Sequence, residues 1–436
     1  MNELKKKANT FLLHLGTSKK KVISSEGPVI FTSAKGCYLY DENGKEYIDA
    51  LSGSWVVNSG HGQQDIIQGI VEQFSNIAYS MSSEGYANDK AITLAEKLSE
   101  LLPGGDKCTY FTSGGSEAVE IALRLARIFH KINGKRKKNI IVARHGSYHG
   151  GTLLALSISG YDLISKSAGP VPGGIEKISH PYCHRCKYNN KGCNLQCAYE
   201  LEDVIKANGP EAIAAFIAEP ISAHSGIAIP PLNYWKVIRN ICDKYRVLLI
   251  VDEVLTGFCR TGKFFAIEHF DVIPDIIVMS KGLTSGYAPL GAVSVSKDIL
   301  SNIPDNSFLP QGFTYSGHPI SCAAALSNLF FMSRNNLDKE SARKGAFLLS
   351  ELRNSLVDNQ YISDIRGIGL LICIELKGDK KFENAQRLTQ YFLSHGVYTR
   401  IIMEYVHIAP PLTIPDDVLK KMAEIIIGGF TKYDLI

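Results

Sequence analysis

The chain reads as an α/β protein, with a mostly parallel central sheet and a smaller α+β domain formed by its N- and C-terminal segments. Two patterns predict this. Between about residues 61 and 295, short unbroken Val/Ile/Leu runs alternate with amphipathic helical stretches. That alternation marks parallel strands covered on both faces. Outside this region there is a hairpin signal near the N-terminus and a second α+β piece beyond Ser321. A chain of 436 residues can bury one large core and a smaller companion. The expected division is residues 1–60 for the N-terminal part of the small domain, 61–320 for the large domain, and 321–436 for the C-terminal part of the small domain.

In chain order, the segment to about Thr32 reads as helix and then loop. Gly36-Cys-Tyr-Leu-Tyr-Asp and Glu46-Tyr-Ile-Asp flank Asn43-Gly44, a dipeptide that tolerates the positive φ angles of a hairpin turn. Residues 109–112, 139–143, 214–218, 247–251, 275–279 and 292–295 are the strands expected in the central sheet. Past Ser321 a helix leads to further strands near 370–374 and 397–400.

Forty-seven Lys and Arg against 43 Asp and Glu leave a net charge of +4. That balance carries no basic field for nucleic acid or a membrane surface. The short runs Lys5-Lys6-Lys7 and Lys19-Lys20-Lys21 read as a solvated arm. No apolar stretch has the length of a signal peptide or a bilayer span, so a cytoplasmic protein is expected. Cys37, Cys108, Cys242, Cys259, Cys322 and Cys373 are scattered singly, as reduced thiols are.

Open parallel sheets bind ligands beyond the carboxyl ends of their strands. Three such ends carry unusual chemistry. In Thr109-Tyr-Phe-Thr-Ser-Gly-Gly-Ser-Glu-Ala a strand breaks into glycines before a helix. Gly114 and Gly115 would let backbone amides approach an anion, and Ser116 would cap the helix, making a phosphate seat; a simple turn reads the same way. Asp252 directly follows the apolar run 247–251, as a fixed carboxylate or as a helix cap or ion-pair member. Lys281 closes Ile276-Ile-Val-Met-Ser-Lys, where desolvation would make its amine nucleophilic; a lysine reaching out to solvent is the alternative. Taken together, a Schiff-base lysine, a carboxylate for a pyridinium nitrogen and an anion seat are what pyridoxal 5'-phosphate requires.

The run Ile250-Val-Asp-Glu-Val-Leu-Thr-Gly-Phe-Cys-Arg-Thr-Gly, followed by Pro274-Asp-Ile-Ile-Val-Met-Ser-Lys-Gly-Leu-Thr, resembles the signature of class III (ω-type) aminotransferases. Thr112-Ser-Gly-Gly-Ser-Glu-Ala, Tyr148-His-Gly-Gly-Thr, Ala218-Glu-Pro and Gly312-Phe-Thr-Tyr-Ser-Gly-His-Pro extend the resemblance from about Gly36 to Pro411. It implies fold type I and a pyridoxal-phosphate enzyme. Lys281 would be the Schiff-base lysine and proton shuttle, and Asp252 the partner of the ring nitrogen. Gly115 and Ser116 would bind the phosphate, and Tyr148 would stack on the ring. Glu219 would sit on the hydroxyl side of the cofactor, within reach of a movable arginine. Thr314 would reach the phosphate of a neighbouring subunit, which implies a homodimer with shared active sites.

By the same resemblance Trp55 is the aromatic wall of the amine pocket and Arg400, closing 397–400, is the arginine for a substrate carboxylate. Two departures concern the substrate. Leu255 stands where several 2-oxoglutarate-using relatives have Gln, and their Glu-Pro-Ile-Gln-Gly-Glu becomes Glu219-Pro-Ile-Ser-Ala-His224. Both are similar to the branch that passes amino groups from amines or ω-amino acids to pyruvate. The expected activity is therefore transamination by a ping-pong route. An aminomutase or racemase of the same fold, or a cofactor-binding protein without turnover, are the rivals. Cys183, Cys186, Cys193 and Cys197, spaced C-x2-C, six residues, C-x3-C, could be plain thiols, a loop disulfide or a structural zinc site without a catalytic part.

Overall fold

The computed structural model describes residues 3–13, 28–161, 169, 172–188, 192–309 and 312–431. After the helix Glu3–Phe11, strands β1 (Phe31–Lys35), β2 (Tyr38–Asp41) and β3 (Glu46–Asp49) form an antiparallel meander. The expected hairpin lies between β2 and β3. Its turn is held by Asp41, whose carboxylate accepts the Asn43 and Lys45 N–H groups at 2.9 and 3.0 Å, while Gly44 takes φ 78°. The fourth strand of this sheet comes from the far end of the chain: β13 (Val397–Tyr398) runs parallel to β3, Val397 opposite Ile48. The two chain ends therefore meet in one sheet.

The central sheet contains β4 (Lys107–Thr112), β5 (Ile140–Arg144), β6 (Ile175–Ile178), β7 (Ile213–Ala218), β8 (Leu248–Asp252), β9 (Ile276–Met279) and β10 (Gly291–Ser296). Their spatial order is β4-β10-β9-β8-β7-β5-β6. Strands β5 to β9 are mutually parallel, but β10 is antiparallel to both of its neighbours. The run 292–295 is thus a strand, in the direction opposite to the others. The edge strand β6 had no counterpart among the expected strands.

Alternation along the buried strands explains how the sheet is covered. On β8, Ile250 joins the core on one face, with Ala118, Ala122 and Ala126 of the helix Gly115–Ile132. Leu249 and Val251 point the other way, into the core that includes Tyr234, Trp235 and Ile238 of the helix Tyr234–Tyr245. A period of two, apolar on both faces, is what a doubly covered sheet demands. Every residue of β7, β8 and β9 is buried.

The last sheet is antiparallel, in the order β11 (Ile362–Gly367), β12 (Ile372–Leu376), β15 (Tyr405–Ile408), β14 (Arg400–Ile402). The stretch 397–400 is therefore not one strand: it splits between β13 in the first sheet and β14 in the last. Arg260 ties these regions together. It is fully buried, with one nitrogen of its guanidinium donating to the Leu370 and Pro410 carbonyls and the other to Ser52 Oγ and Asn58 Oδ1. No described helix is long and apolar enough to cross a membrane.

Candidate active site

The carboxyl ends of β5, β7, β8 and β9 face one edge of the central sheet, joined there by the end of β4. Each end delivers a polar residue to a cavity of about 210 Å³ or to its wall. Ser116, Tyr148, Glu219, His224, Asp252 and Lys281 line the space.

Lys281 follows β9. Its backbone sits at φ 42°, a left-handed conformation that costs a non-glycine residue roughly 1–2 kcal/mol. The preceding Ser280 anchors the turn, its hydroxyl donating to the Leu290 carbonyl at 2.7 Å. The amine lies 5.6 Å from the centre of the Trp55 ring. Burial pushes it down to about 8; the charges of Asp252 and Glu219 oppose this, and that of Arg400 adds to it. An amine so placed is partly unprotonated near neutrality and able to act as a nucleophile or base.

Asp252, the last residue of β8, is buried and doubly engaged. One oxygen accepts the Val254 N–H at 3.0 Å and the other lies 2.7 Å from His149 Nδ1. The second nitrogen of His149 is buried without a hydrogen-bond partner among the described residues, 4.0 Å from Glu219 Oε2. An imidazole behind a carboxylate fixes its orientation. His149 did not figure among the expected site residues, although it follows Tyr148 directly.

Glu219, after β7, takes Arg144 Nη2 at 3.1 Å on one oxygen and the Tyr148 N–H at 3.1 Å on the other. Burial pushes its carboxyl up, but His149, Arg144 and the Tyr148 N–H outweigh that, and the net shift is downward. Arg144 is itself fully buried and closes β5.

The glycine turn after β4 leads into the helix Gly115–Ile132, but Gly114 is the capping residue, in extended backbone, and Ser116 lies inside the first turn. The expected cap at Ser116 is thereby corrected. Its hydroxyl instead accepts the Gly151 N–H at 3.0 Å. Gly150, at φ 138°, presses against the same residue: a Cβ there would stand 2.5 Å from Ser116 Oγ. A Cβ on Gly115 would meet Val254 at 3.0 Å. Two glycine turns thus bring a helix N-terminus and a hydroxyl together where a side chain would fill the space, a cradle suited to a phosphate. With the engaged carboxylate of Asp252, the low-pKa amine of Lys281 and the Tyr148 ring in the same cavity, these residues fit pyridoxal phosphate.

Other expected residues fall further out. Trp55 is only 2% exposed and backs Lys281, with its indole N–H unpartnered among the described residues. Arg400 begins β14, is exposed, and has no ion-pair partner among the described residues, yet its charge is felt at Lys281 and His224. Thr314 is exposed in a turn outside the cavity, its carbonyl accepting the Tyr79 hydroxyl at 2.9 Å. The cysteines Cys183, Cys186, Cys193 and Cys197 line a separate cavity of about 130 Å³. All four are free thiols, and the described residues contain no group of three or more side chains placed to hold a metal.

Comparison with known proteins agrees with this arrangement. The class-III aminotransferase family matches residues 21–428. The putrescine–pyruvate aminotransferase of Pseudomonas aeruginosa is 32% identical over 410 residues, 90% of this chain and 88% of its own. Among solved structures, an (S)-enantioselective omega-transaminase from Thermomicrobium roseum superposes with a TM-score of 0.93 at 35% identity, over 99% of this chain and 98% of that one. An amine transaminase from an uncultivated Pseudomonas species, in its PLP-bound form, has a TM-score of 0.93 at 30% identity, over 97% and 99%. Reading from strand ends to whole-chain likeness, this chain belongs to the class-III aminotransferases, fold type I enzymes that depend on pyridoxal phosphate.

Proposed function

We propose that this enzyme takes the amino group of an amine or ω-amino acid and passes it to a keto acid, pyruvate foremost, in a ping-pong cycle. The observation that carries the reading is the Lys281 amine, lowered to about 8, in one cavity with the Asp252–His149 pair and a glycine-lined helix N-terminus. Bound pyridoxal phosphate supplies the carbonyl that accepts the amine and a ring that spreads carbanion charge. In this reading Lys281 Nζ would hold the cofactor between cycles, and would take the proton from the amine-bearing carbon and give it to the carbon of the cofactor that had carried the carbonyl. Asp252, oriented by His149, would pair with the protonated ring nitrogen. Gly115 and Ser116 receive the phosphate, Tyr148 supports the ring, Glu219 faces its hydroxyl side, and Arg400 orients the keto-acid carboxylate.

Pyruvate is favoured by Leu255 and the altered 219–226 segment, and by the pyruvate-using relative. A homodimer is part of the proposal. It would cover the recess of about 450 Å³ edged by Tyr110, Leu125, Val295 and Phe308, and give the exposed Thr314 a phosphate to reach in the second copy. Residues 1–60 and 321–436 would act as one small domain closing on 61–320. The test is the absorbance spectrum of the loaded enzyme with a panel of donors. Loss of the cofactor band with one donor and its return with pyruvate is the expected result. A band that no donor changes, or racemisation of an amino acid without acceptor, would remove the transaminase reading in favour of a binding protein or an isomerase.

A further inference from the structure

The segment Ala223–Gly226 is held at every residue. The Ala223 carbonyl lies 3.1 Å from His407 Nε2, and the His224 carbonyl accepts the Tyr161 hydroxyl. Ser225 Oγ donates to the Gly146 carbonyl at 2.8 Å, and the Gly226 carbonyl accepts Arg366 Nε at 2.7 Å. Gly226 itself sits at φ 69°, where a Cβ would stand 2.4 Å from the Tyr405 ring. A backbone so pinned gives its one large side chain facing the cavity a fixed place. That side chain is His224. Its ring stacks on Tyr148 at 4.5 Å and 25°, and lies 5.8 Å from the ring of Trp55 and 6.0 Å from that of Tyr161. Burial keeps the imidazole uncharged, with the charges of Lys281, His407 and Arg400 adding to the effect and only Glu219 opposing it, so it takes up a proton only near pH 3.

We infer that His224 is a specificity-determining residue: a rigid aromatic wall beside Lys281 that admits terminal primary amines and excludes donors with a bulky group on the amine-bearing carbon. The reason is spatial. The reacting carbon must come to the Lys281 amine, and the rings of Trp55 and His224 occupy the space beside it. A second large substituent on that carbon meets a ring whose backbone cannot retreat. Ser222 and Ala223, which precede it, are too small to close the space themselves. The inference rests on the transaminase reading for its chemistry, but the wall is a matter of shape, and binding alone reports it.

The experiment compares wild type, His224→Ala and His224→Phe, each loaded with cofactor, on butylamine and on 1-phenylethylamine. Turnover is followed by loss of the cofactor band. Binding is followed by quenching of tryptophan fluorescence. The wild type should favour butylamine, and His224→Ala should raise kcat/KM for 1-phenylethylamine at least tenfold, mainly through KM, with butylamine changed less than threefold. His224→Phe should keep the wild-type preference, because a ring still fills the space. A donor ratio that stays within twofold of wild type in His224→Ala would overturn the inference; His224→Ser serves if the alanine variant does not load cofactor. If neither these amines nor any donor of the panel changes the band in any variant, the transaminase reading fails. The ratio of the two dissociation constants then decides the wall by the same twofold criterion.

Discussion

Replacing Arg260 with Lys should cost the folded protein about 3 kcal/mol, because no ammonium can do what this guanidinium does. Its two terminal nitrogens face opposite parts of the chain. Nη1 holds the Leu370 and Pro410 carbonyls at 3.1 and 2.7 Å, and Nη2 holds Ser52 Oγ and Asn58 Oδ1 at 2.9 and 2.6 Å. A lysine Nζ can serve one pair. The other two acceptors would be left buried without a donor, at about 1–3 kcal/mol each, less whatever water can enter. Burial also lowers the Arg260 guanidinium to about 9, with Asp49 and Cys259 opposing. The same burial acting on lysine, whose ordinary value is about two units lower, would leave an amine only partly charged at pH 7 and weaken even the retained bonds. Arg260→Met removes all four donors and should be worse than Arg260→Lys. The assay is urea unfolding followed by tryptophan fluorescence, since Trp55 and Trp235 are the chain's two tryptophans and both are buried. A lysine variant within about 1 kcal/mol of wild type, or a methionine variant as stable as wild type, would refute the reasoning.

Further outcomes follow from the same geometry. The Lys281 amine titrates near 8 when folded and 10.5 when unfolded, so the unfolded chain binds more protons between those values and stability rises with pH across them. The cost is fully present below pH 8 and is on the order of 3 kcal/mol. Lys281→Met should therefore stabilise the cofactor-free protein at pH 7 and not at pH 10.5 in thermal melts, and an equal gain at both would point to packing instead. Burial holds His130 and His407 down to about 4, so each contributes stability above pH 6.5 that is lost as pH falls toward 4. Together they should steepen acid unfolding by about 2.7 kcal/mol per pH unit, and His130→Gln should halve that share; a slope unaltered by the substitution speaks against it. Gly150→Ala should weaken cofactor binding at least tenfold in an absorbance titration, because the added Cβ meets Ser116 Oγ. Unchanged affinity would take the 150–151 turn out of the phosphate seat.

Much of the site was legible because polar residues stand directly after apolar runs. Asp252 after 247–251 and Lys281 after 276–279 are such cases, and one topological rule sends both to the same edge. Arg144 after 139–143 carries the same signal and was passed over, as was His149. The direction of β10 was harder to read, since its residues are as apolar and buried as those of its neighbours. A clue lay in the connection: only 280–290 separates β9 from β10, with no α-helix, whereas a parallel crossover needs a dozen or more residues. The edge strand β6, Ile-Glu-Lys-Ile, has too little apolar character to stand out.

What the spacing could not show is how charge is distributed within the cavity. Each buried acid there has its own base: Asp252 has His149, and Glu219 has Arg144. Lys281 has no ion-pair partner among the described residues, although both acids are near enough to be felt. This division of partners matters for the chemistry. Were Asp252 free of His149, it could turn to the lysine, raise its pKa and remove the unprotonated amine that the proposed cycle needs. Were Glu219 free of Arg144, it could do the same from the other side. The two bases thus hold two carboxylates in place while leaving the amine poorly compensated, so desolvation can prevail over attraction at Lys281. A nucleophile near neutrality in a cavity with two acids follows from where those acids are already committed.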